Sequence, residues 1–245
     1  MSKKTEKSLK SANQPKLMTF AVVNLVVSAI ALAGYEKVFS LLRDGGKGDW
    51  ALLARVVGLP AVGTLAVGLL GWLIPRDWKE VLVFWRLGPG RLPSSEAFTM
   101  VGPNDPRIDM KQLSARLGSL PTDSAQQNTV WYSVYRKHSK EAAVNDANSA
   151  YLLYRDMAAL MPLVVVTAIL LGIMIDARAG RVAELLLGIG FEFLLVIVAA
   201  RNAGRRLVAN VLAIEAARVT GPANTSPSPV ESPKPRTRKK KEAAS

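Results

Sequence analysis

The sequence MAALMPLVVVTAILLGIMI occupies residues 157–175, and VAELLLGIGFEFLLVIVAA follows at residues 182–200. Each stretch runs for about 19 residues with at most two charged side chains. An α-helix rises about 1.5 Å per residue, so about 20 residues cross the hydrocarbon core of a bilayer. Buried helices of soluble proteins are amphipathic and rarely run this long without charge. The pair therefore predicts two membrane-spanning helices joined by a short turn.

Two earlier stretches have the same character, at residues 17–35 and 56–75. The chain has 245 residues, 49% of them hydrophobic, yet carries a net charge of +13. Apolar and charged residues are therefore segregated along it. The four stretches predict an all-α integral membrane protein. Its four transmembrane helices form two hairpins, residues 17–75 and 157–200, with a mainly helical cytoplasmic insert, residues 76–156, between them.

The first stretch also has the pattern of a secretory signal peptide. Basic residues precede an apolar run, and Ala31-Leu32-Ala33 has the small residues of a cleavage site. Cleavage after Ala33 would leave three spans with their orientation unchanged. We favour an uncleaved helix, because the run is longer than most signal cores and pairs with the second stretch as a hairpin.

Basic residues are distributed unevenly between the two predicted sides. The N-terminal arm, the insert and the C-terminal part carry 26 of them, whereas the two remaining links carry six. The positive-inside rule then predicts a multi-pass inner-membrane protein with both termini cytoplasmic. The predicted segments are a basic arm (1–16), the two hairpins, the insert, an amphipathic cytoplasmic helix (201–220) and a disordered basic tail (221–245).

Local signals predict the helices of the insert. Asp109 is placed to cap a helix at Met110–Leu117, ended by Gly118, and Thr122 or Asp123 to cap the next. A last helix begins near Ala142 and leads into the third span. The amphipathic helix after the fourth span suits the membrane interface, or packing against the insert or another subunit.

Residues for catalysis or metal binding are few. The chain has no cysteine and one histidine, His138, so thiolate sites and paired-histidine zinc sites are excluded. Neither a phosphate-binding G-x-x-x-x-G-K-[ST] loop nor a G-x-S-x-G elbow occurs. We therefore predict a protein that is not an enzyme and has no cofactor, metal or catalytic residue. His138 lies among basic residues and is expected to be a solvated residue at a helix end.

Glu192 is the most informative polar residue, because it lies near the centre of the fourth span. A charge there costs about 2.5–3.5 kcal/mol, whereas the span's Val, Leu, Ile and Phe residues together favour insertion by roughly 4 to 7 kcal/mol. The helix still inserts, with Glu192 facing protein or water. Asn24 in the first span lies at a similar depth, about 11–12 Å. We predict that the two hydrogen-bond, either lining a polar pathway or only joining helices through a protonated carboxyl.

Two further patterns predict contacts. Small residues of the second span, Gly63, Gly68 and Gly71 among them, allow close helix packing within the bundle or between subunits of a homo-oligomer. The tail carries Arg236, Arg238, Lys239, Lys240 and Lys241. In a multi-span protein such a tail binds anionic lipid headgroups or only adds solubility, and nucleic-acid binding is the less favoured interpretation.

Certain motifs resemble those of a group of uncharacterised bacterial four-span inner-membrane proteins. They are Trp78–Arg86 (WKEVLVFWR), Asp105–Asp109 (DPRID), Gln127-Asn128 with Trp131-Tyr132, Tyr151–Asp156 (YLLYRD) and Arg201–Ala213 (RNAGRRLVANVLA). The resemblance covers residues 76–213. Small proteins of this build are often membrane effectors or sensors of anti-phage defence, and the resemblance implies such a role without assigning functional residues.

Two functions follow as hypotheses. The first is an oligomeric membrane effector of the pore type, in which the insert senses a cytoplasmic signal and the spans open a leak around Glu192. The second is a non-conducting membrane anchor or scaffold that recruits a cytoplasmic protein partner through residues 76–156 and the tail.

Overall fold

The computed structural model describes residues 2–43, 54, 57–58, 60–65 and 73–218. This part of the chain is helical, without strands. The helices are α1 (Ser2–Ala33), α2 (Tyr35–Arg43), α3 (Arg76–Phe84), α4 (Met110–Leu117), α5 (Ser124–His138), α6 (Ala142–Met174) and α7 (Ala179–Ala217). Short helical turns at Pro89–Arg91, Pro93–Glu96 and Ala97–Val101 connect α3 to the loop before α4.

Three helical segments are long and apolar enough to cross a membrane: Ser11–Ala33, Ala142–Met174 and Ala179–Ala217. They confirm the all-α prediction and provide three candidate membrane-spanning helices, whereas the four spans and their arrangement as two hairpins stay predictions. Nine of the 20 residues of the second predicted span, Gly68 and Gly71 among them, lie outside the described residues, and residues 60–65 are helical. The predicted tail from residue 219 onward lies outside them as well.

Helices α1, α6 and α7 pack together as the membrane bundle. Small and branched side chains fill its centre, such as Ala21, Leu25, Val164, Ala168 and Ile189, all nearly fully buried. These residues recur at three- and four-residue spacing along α1 and α6, which places them on one face of each helix. The outer faces remain apolar and exposed, as lipid-facing surfaces are.

An arginine near the start of α7 binds the last turn of α1 at one end of the bundle. The Arg181 guanidinium of α7 donates hydrogen bonds to the carbonyl oxygens of Leu32 and Ala33, at 3.4 and 3.3 Å. These carbonyls end α1 and have no partner within the helix. Gly34 then turns the chain with a φ of +89°, and a Cβ there would come within 2.8 Å of the Arg181 side chain. The positive φ favours glycine here, whereas the Arg181 guanidinium is the end of a flexible side chain that can move aside.

The insert folds together with the ends of two membrane helices. Its core joins residues of α5 and of the start of α6 to the last turns of α7, from Ala203 to Ala216. We call this unit, residues 76–156 and 201–217, the insert domain. The amphipathic segment predicted at 201–220 thus packs on the insert, and both α6 and α7 run unbroken through the predicted limits at 156 and 200.

The caps of the insert helices confirm the local sequence signals. The Asp109 carboxylate accepts hydrogen bonds from the first backbone amides of α4, and Asp123 does the same for α5. Gly118 ends α4 with a φ of +79°.

The predicted basic arm is helical from Ser2 and belongs to α1. The Asn13 side chain there donates to the carbonyl oxygen of Ser149 at 2.8 Å, which ties α1 to α6.

Candidate functional site

Glu192 and Asn24 meet at the contact between α7 and α1. The amide nitrogen Nδ2 of Asn24 donates to Oε1 of Glu192 at 3.2 Å and lies 3.1 Å from the carbonyl oxygen of Phe20. Asn24 is buried and Glu192 half-buried. Asn24 can reach Glu192 because the two residues lie at similar depth on neighbouring helices, as sequence position alone predicts.

The pair lines a groove of about 320 Å³ between α1 and α7. Half of its lining is polar, although both helices are otherwise apolar here. These polar residues are Asn24, Ser28, Arg181, Glu184 and Glu192. They form a row along the bundle from the middle of α7 to its first turn. Such a row can hold water or a cation in a place that is otherwise hydrocarbon. We call it the polar groove.

A larger cavity of about 610 Å³ lies in the insert domain, against α5, α6 and α7. Four bases and no acid line it: Arg76, Arg136, Lys140 and Arg155. Four aromatic side chains share the lining: Trp131, Tyr132, Tyr135 and Tyr151. An anionic ligand with a flat apolar part suits this chemistry, since the bases provide donors and the rings provide contact area. We call it the insert cavity.

Tyr151 gives the insert cavity a polar group that the protein itself leaves unsatisfied. Its ring packs against Gly204 and Phe84, and its hydroxyl is buried without a hydrogen-bond partner among the described residues. Buried hydroxyls without a partner are uncommon and cost free energy. Nearby, Asn148 donates to the Tyr135 hydroxyl at 3.0 Å. A ligand with an acceptor at this depth would satisfy Tyr151.

His138 corrects the sequence analysis, because it is fully buried and not solvated. Its Nε2 atom lies 2.5 Å from Oε2 of Glu215, so that the end of α5 is joined to the end of α7. Its basic neighbours in the chain indicate a solvated position, whereas the helical spacing of α5 indicates a buried one. Gln127, Trp131, Val134 and His138 recur every three or four residues on the buried face of α5.

Two other buried polar residues were missed by sequence reasoning. The Glu80 carboxylate accepts from Arg76 at 2.6 Å and from Arg91 at 3.0 Å, which holds α3 against the following turn. The Gln127 side chain accepts from the backbone amide of Phe98 at 2.9 Å and donates to the carbonyl of Thr122 at 2.9 Å. The Gln127–Phe98 and Glu80–Arg91 contacts join residues 29 and 11 positions apart, so no local pattern indicates them, whereas the Arg76–Glu80 pair has the i,i+4 spacing of a helix.

The remaining predicted residues divide between described and undescribed parts. A Cβ on Gly63 would come within 2.9 Å of Thr167 and 3.3 Å of Leu25, so this glycine lies where three helical segments approach closely. Residues 236–241 of the tail lie outside the described residues. Within the part that the structure describes, no group of three or more metal-ligating side chains comes together.

Comparison of the chain with protein-family models, with curated proteins and with solved structures finds no match. The resemblance of residues 76–213 to bacterial four-span membrane proteins therefore stays a prediction. The class that the structure itself supports is an all-helical protein with three candidate membrane-spanning helices.

Proposed function

We propose that this protein is a non-enzymatic, oligomeric membrane effector of the pore type, gated through its cytoplasmic insert domain. One observation supports the proposal above others. Helices α6 and α7 continue without a break from the membrane bundle into the insert domain, over about 50 and 58 Å. A change in the packing of the insert domain is therefore a movement of the same helices that form the bundle.

The insert cavity is the proposed sensing site. Its walls include Asn148, Tyr151 and Arg155 of α6, and Gly204 and Leu207 of α7. A ligand shifts a conformational equilibrium only if it binds the two states with different affinity. Since the cavity lies between the two helices, any change in their relative position alters its shape and hence the affinity for the ligand.

The polar groove is the proposed conducting element. Within the described residues it is lined by α1 and α7 alone, and α7 exposes apolar residues beside it, including Leu187, Phe191 and Leu195. A second subunit against this face would enclose the groove and bury these side chains. Glu192 would then be the intramembrane charge that a cation passes.

The test is inducible expression in bacteria loaded with a membrane-potential dye. We expect rapid depolarisation with the wild-type chain, and its loss in Glu192→Leu and in Asn24→Leu at equal membrane abundance. Glu192→Gln keeps the hydrogen bond to Asn24 but removes the charge, so we expect it to slow depolarisation strongly. Asp146→Asn removes an exposed carboxyl of the insert domain and serves as the control with unchanged depolarisation.

Retention of the potential by the wild-type chain would contradict the pore. So would depolarisation that Glu192→Leu leaves unchanged. The alternative, a non-conducting anchor, is favoured by the fact that Asn24 already satisfies the carboxyl of Glu192. It predicts a steady potential, with a cytoplasmic protein co-purifying in a manner that depends on residues 76–156.

A further inference from the structure

A second cleft of the insert domain, of about 610 Å³, is lined by six arginines: Arg86, Arg91, Arg107, Arg201, Arg205 and Arg206. We call it the arginine cleft. They come from three places, namely the turn after α3, the loop before α4 and the second half of α7. Only folding brings them together, and their positive charges repel one another unless acids or a bound anion lie near them.

Internal carboxylates neutralise half of this set. Glu96 pairs with Arg86, and Asp105 accepts from Arg107 at 2.7 Å. The Arg107 guanidinium lowers the pKa of the Asp105 carboxyl from its ordinary value, so this acid stays ionised. Arg91 forms ion pairs with two carboxylates of α3, those of Asp77 and Glu80.

Three bases are left without a carboxylate. Within the described ranges, Arg201, Arg205 and Arg206 have no ion pair, and the last two are exposed. The Arg201 side chain donates to the carbonyl oxygen of Val83 at 2.7 Å and lies over the Trp85 ring, 4.6 Å from its centroid. These contacts fix the Arg201 guanidinium in place without neutralising it.

The position of the cleft indicates where an anion that neutralises it comes from. Arg201 directly follows the apolar run 182–200, so it lies at the predicted lipid boundary. Trp85, which contacts Arg201, is 61% exposed, Met100 of the cleft lining is 54% exposed, and Leu87, next to Arg86 in the chain, is 84% exposed. Trp85 also has a φ of +53°, a conformation that costs energy in a residue with a bulky side chain. Exposed apolar and aromatic side chains next to bases are typical of a lipid interface.

We propose that the arginine cleft binds the phosphate headgroup of an anionic phospholipid. Arg201, Arg205 and Arg206 donate to the phosphate, while Trp85 and Leu87 contact the acyl-chain side of the same interface. A soluble phosphate compound would use the bases but leave the apolar edge in water, so the lipid fits better. This inference does not depend on conduction, and it differs from the prediction for residues 236–241 because it concerns the folded domain.

The experiment uses the full chain in neutral detergent. Short-chain phosphatidylglycerol or phosphatidylcholine is added, the melting temperature is measured, and retained lipid is counted by native mass spectrometry. We expect phosphatidylglycerol to be retained and to raise the melting temperature, and phosphatidylcholine to do neither. Arg205→Gln with Arg206→Gln should weaken retention about fivefold per base removed, which corresponds to about 1 kcal/mol each.

Matched variants distinguish a loss of charge from a loss of folding, and lipid binding in the cleft from lipid binding at the tail. Arg205→Lys with Arg206→Lys keeps the charge and should retain most of the lipid. Lys111→Gln with Lys137→Gln removes two exposed bases elsewhere on the insert domain and should change nothing. If the double variant is unstable, lipid retention is measured on the single variant Arg205→Gln.

Three results would overturn the proposal. The first is an equal effect of the two lipids. The second is a shift of the melting temperature by inorganic phosphate as large as that by phosphatidylglycerol, which would indicate a soluble ligand. The third is loss of retention in Arg236→Gln with Arg238→Gln but not in the cleft variants, which would assign the lipid to the tail.

Discussion

At the scale of single residues, the His138–Glu215 pair is a buried contact between two helices of the insert domain. Removing one partner of a buried pair costs more than removing both, because the remaining polar group loses its hydrogen bond and stays out of water. Here the two residues end separate helices, so the pair also fixes how α5 meets α7.

We expect His138→Ala to lower the free energy of unfolding by about 3 kcal/mol, since it leaves the Glu215 carboxyl buried without its donor. The double variant His138→Phe with Glu215→Leu should recover most of this loss. Thermal unfolding in detergent, followed by circular dichroism, gives both values. If both variants melt at the same temperature as the wild type, the pair contributes nothing to stability.

The burial of His138 could have been predicted from sequence, and the contact of Glu80 with Arg91 could not. The helical spacing from Gln127 to His138 places the histidine on an apolar face, whereas nothing near Glu80 indicates its ion pair with Arg91. Likewise, equal depth was enough to match Asn24 with Glu192. Depth does not say whether a groove opens beside them, because that depends on the distance between the helices.

At the scale of elements, short capped helices contrast with long uncapped ones. Helices α4 and α5 begin at aspartates that accept from two backbone amides each, and these local hydrogen bonds set their limits. Such caps are visible in the sequence. The long helices α6 and α7 have no side-chain cap at their first turn, and packing sets their extent.

Replacing either capping aspartate should cost a modest and similar amount. We expect Asp109→Ala and Asp123→Ala each to lower the free energy of unfolding by about 1 kcal/mol, because the first amides of the helix lose their acceptor. Asp109→Asn and Asp123→Asn keep an acceptor and are the matched controls. Equal stability of the alanine and asparagine variants in thermal melts would contradict the capping role.

At Gly204, α7 packs closely against other residues of the insert domain. A Cβ there would lie 3.3 Å from Tyr151 and 3.4 Å from both Phe84 and Pro93. We expect Gly204→Leu to cost about 1–3 kcal/mol, since the added atoms have no room. Gly190 lies on the same helix with nothing within 4 Å of its Cβ position. Gly190→Leu should therefore melt near the wild type, and an equal loss in both would contradict the packing explanation.

The unbroken helices show what hydropathy can and cannot predict. The apolar runs that begin at 157 and end at 200 mark where the composition changes between charged and apolar, and their positions follow from the sequence alone. Hydropathy does not mark where a helix ends, because backbone hydrogen bonding continues through a change from lipid to water. Limits drawn at residues 156 and 200 therefore separated segments that the structure joins.

At the scale of the whole molecule, one helix, α7, contributes to every cavity or cleft with a proposed role. The polar groove, the insert cavity and the arginine cleft all lie against α7, and the cavity also lies against α6. If the insert domain senses a ligand, these two helices transmit the change. The account depends on the bundle crossing the bilayer, with the charged insert domain on the inner side.

Site-directed labelling tests that arrangement most directly, since the chain has no cysteine and a single introduced thiol is the only target. Lys37→Cys lies in α2 and Ser119→Cys lies between α4 and α5, both at chain positions outside the apolar runs. With a membrane-impermeant maleimide on intact spheroplasts, the account predicts labelling of Lys37→Cys, and labelling of Ser119→Cys only after lysis. Labelling of Ser119→Cys in intact spheroplasts would contradict it.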